Sequence, residues 1–342
     1  MKNFTIILLA VGLLLLSDIA AIAQTPVPVS PQDLTQHPRV NTHRKSFWSE
    51  INFQGALSKD KRWQYQFDLQ YRRMSDASYV VGGAHGNIFK NPYQQVYRPW
   101  IHYWIVPGQV RLSLSPIGFW ETYTAPTDAS VYSTPETQVA GKNTNTGATV
   151  QPEFRICPQI TFNNNYGRFQ VVNRIRFEYR IQGNRHPASQ NYFDDVTEGY
   201  SFYPNPQGQG YGSTHAGRLR WQSRVQIALN KKKVEPGAIY INAWDEVFIS
   251  VGRYVNFNKM LNQNRLVAMV GFYLPTKYPI KIETGITYQT NLLYNIGTVP
   301  TQPDVTYSKQ NVEQNLAYTT YVIFDNFHSF LRKKKVEAPA EK

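Results

Sequence analysis

The residues best placed to do chemistry are arginines at alternate positions. Arg174, Arg176 and Arg180 share one face of a segment with Glu178, and Arg218, Arg220 and Arg224 share one face of another. A guanidinium is always charged and presents its donors in a rigid fork, so an array of this kind either captures anions or clamps carboxylates. Unpaired buried charge is costly, so counter-charges must come from elsewhere. Asp68, Glu246 and Glu283 are the available acids on other alternating segments. The candidate set facing this array is Arg174, Arg176, Glu178, Arg180, Arg218, Arg220, Arg224, Glu246, Arg265 and Glu283.

Catalytic constellations are weak by comparison. His37, His43, His85, His102, His186, His215 and His328 fall in no His-Glu-x-x-His or comparable ligand spacing, and no Gly-x-Ser-x-Gly elbow occurs. His186, Ser189 and Asp194 crowd one loop, which is the material of a hydrolase but not its geometry. Gly208, Gly210 and Gly212 lack the strand-to-helix context of a phosphate loop. The single Cys157 excludes an internal disulfide framework and a cysteine metal cluster. The sequence predicts no catalytic residue, no metal and no cofactor.

The elements that carry the arginines alternate with period two. In Trp63–Arg72 the aromatic and aliphatic side chains take the odd positions and Gln64, Gln66, Asp68, Gln70 and Arg72 the even ones. Residues 169–181 and 218–230 behave likewise. Successive side chains of a strand point to opposite faces, so each segment has an apolar and a polar side. Eleven such segments are read: 47–57, 63–73, 97–106, 109–121, 150–161, 168–181, 217–230, 238–252, 263–274, 280–291 and 312–327. They exceed the 5–6 residues common in globular strands and match the roughly 9–11 residues of a tilted bilayer-crossing strand. Their connections alternate short and long, the long ones being 74–96, 122–149, 182–216, 253–262 and 292–311. Outer-membrane barrels have that asymmetry.

The expected fold is all-β, an antiparallel transmembrane β-barrel of about 12 strands (11 identified), with short periplasmic turns and long outer loops. Bacterial barrels ordinarily have an even strand number. The Pro-rich residues 24–46 are therefore read as a missed strand or a lumen plug. Pro116 and Pro158 interrupt segments and predict bulges or boundaries.

Composition agrees. Of 342 residues 14% are aromatic and 17% charged, and the net charge is +13. Met1–Asn3 is a short basic start, Phe4–Leu16 an apolar run, and Ala21-Ile22-Ala23 a small-x-small cleavage site, so residues 1–23 read as a secretory signal. Residues 47–330 form the barrel and 331–342 a basic tail. Lys59, Lys61, Arg62, Arg168, Lys231, Lys232, Lys233 and Lys277 gather at the short turns, a rim suited to anionic headgroups or simply to water. Trp48, Trp100 and Trp120 toward the long loops, with Trp63 and Trp104 toward the short turns, are read as two membrane girdles. An exported chain without a nucleic-acid module is not expected to bind nucleic acid.

Several of these runs carry a resemblance. Asn173-Arg174-Ile175-Arg176-Phe177-Glu178-Tyr179-Arg180, Arg218-Leu219-Arg220-Trp221, Asp245-Glu246-Val247-Phe248 and Asn262-Gln263-Asn264-Arg265, taken in that order, resemble the domain-of-unknown-function 2490 family of exported proteins, found mainly in Bacteroidota. The resemblance covers about residues 47–327 and opens on the Trp48 strand. It implies an outer-membrane barrel and no established activity. The basic tail after Phe327 and Phe330, and the length of the 122–149 insertion, depart from the family pattern.

The expected role is passive passage of small solutes, anions among them, or a structural part in the envelope, with outer-membrane lipid as the surrounding partner. The arginine array has two readings: a salt-bridged filling of a narrow barrel, or a cation-lined, anion-preferring pore. An outer-membrane enzyme acting on lipid or polysaccharide through His186, Ser189 and Asp194 is the alternative, and a soluble glycan-binding sandwich is third. The sequence leaves the oligomeric state open.

Overall fold

The computed structural model describes residues 40–75, 87–124, 149–183, 186–187, 214–251, 260–276, 279–299 and 302–327. They form strands β1 (Val40–Ala56), β2 (Trp63–Met74), β3 (Asn91–Val106), β4 (Val110–Thr124), β5 (Thr149–Tyr166), β6 (Phe169–Gln182), β7 (His186–Pro187), β8 (Thr214–Ala228), β9 (Ile239–Val251), β10 (Leu261–Tyr273), β11 (Ile280–Val299) and β12 (Gln302–Phe324). No helix occurs among the described residues. Apart from the two-residue β7, strand lengths run from 12 residues in β2 to 23 in β12.

The eleven long strands close into one barrel. Each pairs antiparallel with the next long strand along the chain, β4 joining β5 and β6 joining β8. The closing pair, β1 with β12, is parallel, in register from Val40↔Asn311 to Phe53↔Phe324. This resolves the parity difficulty. Ten antiparallel steps leave the first and last of eleven strands pointing the same way, so the ring closes without a twelfth. The barrel is therefore mixed at one seam and antiparallel elsewhere.

Each of the eleven segments read from periodicity corresponds to one long strand. β1 starts at Val40, inside the segment read as a plug or extra strand. The rest of that segment, the signal at 1–23, most of the 122–149 insertion, Lys277 and the basic tail lie outside the described residues. One connection was misplaced. Residues 292–311 are not a long loop, because β11 and β12 stay paired out to Thr298↔Thr306. Thr, Tyr and Val in this stretch favour strand backbone over loop.

The short turns follow from local chemistry. Gly108 and Gly167 sit at φ +73° and +63°, a left-handed conformation in which a side chain would be strained. In the Ser58–Arg62 turn the Asp60 carboxylate accepts from the Ser58 hydroxyl (2.5 Å) and the Arg62 amide (3.1 Å). Those bonds, the serine first, hold this exposed carboxyl below the usual carboxylate range. Pro116 lies in a register break of the β4–β5 ladder between Ser115 and Gly118, the bulge its missing N–H predicts.

The apolar face points outward. Ile101, Leu112, Leu114, Ile156, Phe177, Trp221, Ile241, Leu266 and Ile286 are all exposed, on successive strands around the wall. A polar strip crosses this exterior, where Ser223 donates to Asn173 (2.8 Å) and Asn264 to Asp245 (2.7 Å). The polar face points inward and is buried, including Asp68, Glu153, Glu178, Glu246 and Asn242.

Four of the five tryptophans read as girdle residues correct that reading. Trp48, Trp100 and Trp120 are each 3% exposed, inside the barrel. Trp100 and Trp120 pack with Val96 and Cys157 in the described core cluster. Trp104 also lies on the inward face, under Arg111. Their strand parity matches the inward set, which outweighs the preference of indole for an interface. Trp63 is outward, as expected, and Trp221 is outward too.

Candidate functional site

Cross-strand register places the candidate residues in rows around the inner wall. Glu178 stands directly opposite Arg218, and Arg176 opposite Arg220. A further row runs Arg111, Thr161, Arg174, Gln222, Glu246, Arg265 and Gln289 across seven strands. All of these residues share the inward side, because a one-residue step reverses the face and no register break falls at these pairs.

Two glutamates organise the array. Glu178, fully buried, accepts from Arg218 through Nε (2.9 Å) and Nη2 (2.5 Å), from Arg220 Nη1 (2.6 Å) and from Arg155 Nη1 (3.4 Å). Glu246 accepts from Arg220 Nη2 (2.7 Å) and Arg174 Nη2 (2.7 Å), with Arg265 Nη1 at 3.5 Å. Arg220 thus spans both carboxylates. Charge-assisted bonds of this kind are the strong ones, and the shared fork fixes geometry as well as charge.

Arg180 turns to a third acid, Glu153, at 2.5 Å, and Arg155 shares that carboxylate at 2.8 Å. Glu283 accepts from the Tyr240 hydroxyl (2.8 Å) and the Asn242 amide (3.0 Å), while Arg224 approaches it only to 3.8 Å. Arg265 donates to Gln289 (2.8 Å) and lies over Trp48 and Phe248. Asp68 is held by Arg98 (2.6 Å) and the Trp100 indole (2.9 Å). The ten residues singled out by sequence are thus all on the inner wall, although Arg180 joins the Glu178 network only through Glu153 and Arg155, and Glu283 has its close contacts with Tyr240 and Asn242 instead.

Cations still exceed acids. A cavity of about 410 Å³ is lined by ten arginines and Lys281, against Glu50, Glu246 and Glu283. Asp68, Glu153 and Glu178, each bound to arginine, do not close that gap. A second cavity of about 140 Å³ adjoins it and shares Arg98, Arg111, Arg174, Arg176 and Arg224. An eleven-stranded barrel lies between eight strands, which side chains fill, and the sixteen or more that leave an aqueous channel. A partly filled lumen with cationic cavities agrees with that.

A family profile described as "Protein of unknown function (DUF2490)" matches residues 45–295. The chain belongs to this family. The matched span runs from β1 into β11 and contains every residue of the Glu178–Glu246 network. A search of curated proteins finds no match. A search of solved structures finds none either.

Among the described residues no group of three His, Cys, Asp or Glu side chains could hold a metal. His102 is bonded to Ser113 (2.8 Å) and Gln66 (3.3 Å) inside the wall. His186 is placed only as backbone in β7, while Ser189 and Asp194 lie outside the described residues. Sequence reasoning missed Arg98, Arg111, Arg155 and Glu153. Arg155 and Glu153 share strand parity with Cys157 and Gln159, and that parity was the signal available. Pro152 and Pro158 blurred it by interrupting the segment.

Proposed function

We propose that this barrel sits in the outer membrane and serves passive exchange of small solutes, with anions preferred. The observation that carries the reading is the pairing of an apolar exterior with a lumen where eleven cations line the larger cavity against three acids. Rings of arginine or lysine favour anions in a narrow pore. Membrane lipid is the partner outside, and small solutes the partners within. The chain works without catalysis, its groups serving as fixed charge. The full burial of Glu178 under several arginines favours a second reading, a barrel filled for rigidity with a structural envelope role.

Single-channel recording of the refolded barrel in a salt gradient separates the two. The pore reading expects steady conductance with a reversal potential on the anion side. Arg176→Gln should reduce that preference, because this arginine stands 3.8 Å from its nearest carboxylate and holds no close pair together. A folded barrel that never conducts would leave the structural role, and a cation-side reversal potential would overturn the anion preference.

A further inference from the structure

We propose that the lumen contains a built site for a compact tetrahedral oxyanion of the phosphate or sulfate type, framed by Arg111, Arg174, Arg176 and Arg224. It deepens the anion reading above and rests on small anions reaching the lumen, but not on their passing through it.

The site is the smaller cavity, about 140 Å³ and lined by these four arginines with Gln159, Thr161 and Gln222. That is about ten times the space one water needs. Its arginines are poorly matched by acid. Arg111 has no ion pair or side-chain hydrogen bond among the described residues and lies over the Trp104 ring at 5.3 Å. The charges acting on it are those of Arg174 and Arg224, both of its own sign. Arg176 and Arg224 each reach a carboxylate only at 3.8 Å. Arg174 does pair with Glu246, at 2.7 Å, but that carboxylate already serves Arg220. Of the acids on the same cavity, Asp68 is held by Arg98 and Trp100, while Glu50 has Arg98 and Arg72 as its favourable charges and Asp68 as a repulsive one.

A second, independent observation points the same way. The Nε atoms of Arg111 and Arg174 are buried without a hydrogen-bond partner. Orphaned buried donors are rare in native proteins and call for an acceptor. Here two of them flank one cavity from β4 and β6, with Thr161 between them in the same cross-strand row. The Thr161 hydroxyl accepts from Gln159 (3.2 Å), which leaves its own hydrogen available. An oxyanion with several oxygens engages guanidinium forks two bonds at a time, which a halide cannot. Three arginines without a close carboxylate also match a dianion better than a monoanion.

The test is equilibrium titration of the full refolded barrel in zwitterionic detergent with inorganic phosphate, then sulfate, against sodium chloride at equal ionic strength. Saturable binding of both oxyanions is expected, weakened about tenfold or more in Arg111→Gln, the scale of one charged hydrogen bond. Arg168→Gln on the rim should bind as the wild type does. Should Arg111→Gln fail to fold, Thr161→Val reads the same site through its hydroxyl, with weaker binding expected. No saturable phosphate binding, equal binding of chloride, or unchanged affinity in a folded variant would each overturn the site. Phosphate binding in a barrel that does not conduct would leave the site standing and remove the pore, and conductance without phosphate binding would do the reverse.

Discussion

Glu178 concentrates more of the lumen's charge pairing than any other single side chain described above. It is fully buried and accepts from Arg218, Arg220 and Arg155, so deleting its carboxylate strands several guanidiniums in a low-dielectric wall. Breaking one partner out of a buried pair typically costs about 3–5 kcal/mol, because the remaining charge is uncompensated. Glu178→Ala should lower the stability of the detergent-solubilised barrel by that order in urea unfolding. Asp60→Asn, in an exposed turn, should stay within about 0.5 kcal/mol. An unchanged midpoint in Glu178→Ala would show that the network is decorative. The sequence made Glu178, Arg218 and Arg220 visible because they lie on two neighbouring strands with unbroken alternation. It hid the Arg180–Glu153 and Arg98–Asp68 pairs, since those contacts join strands through register that only the folded ladder supplies. Arg111 escaped for the same reason: a lone arginine next to a turn looks like rim until its row is known.

At the scale of the strands, period two carried the reading furthest. The existence of all eleven long strands was legible because each has one apolar face, and a slip of one residue would turn that face to the wrong side, although β1, β3, β11 and β12 run well past the read segments at one end. The direction of closure was not legible. Nothing in the alternation of β1 or β12 records whether its neighbour runs with it or against it, and only the count of hairpins decides. The parallel seam is testable on the outward face, where Ile51 and Val322 are register partners. In a Cys157→Ser background, Ile51→Cys with Val322→Cys should cross-link on mild oxidation, whereas Ile51→Cys with Tyr318→Cys should not. The parallel register places Tyr318 beside Phe47, four residues from Ile51 and well beyond disulfide reach. Cross-linking of the second pair but not the first would mean that the barrel closes in another register.

For the whole molecule the question is which solvent meets the apolar wall. Large side chains are exposed all round the barrel, from Ile101 and Leu112 on one side to Trp221, Leu266 and Ile286 on another. A soluble protein rarely leaves so continuous an apolar surface uncovered, whereas a bilayer covers it by definition. Ile286 separates these cases because it is 54% exposed and pairs with Ala268 near the centre of β10 and with Tyr318 of β12. In water, an exposed isoleucine replaced by arginine changes stability by no more than about 0.5 kcal/mol. Facing lipid near the midplane, the same replacement costs about 2–4 kcal/mol. Ile286→Arg, unfolded from phospholipid vesicles by urea, should therefore lose stability on the larger scale. Thr284→Arg, one outward position nearer the short turn, should lose less as the guanidinium reaches toward the headgroups. A change within about 0.5 kcal/mol at Ile286 would place this wall in water, and would turn its apolar surface into an interface for something other than lipid.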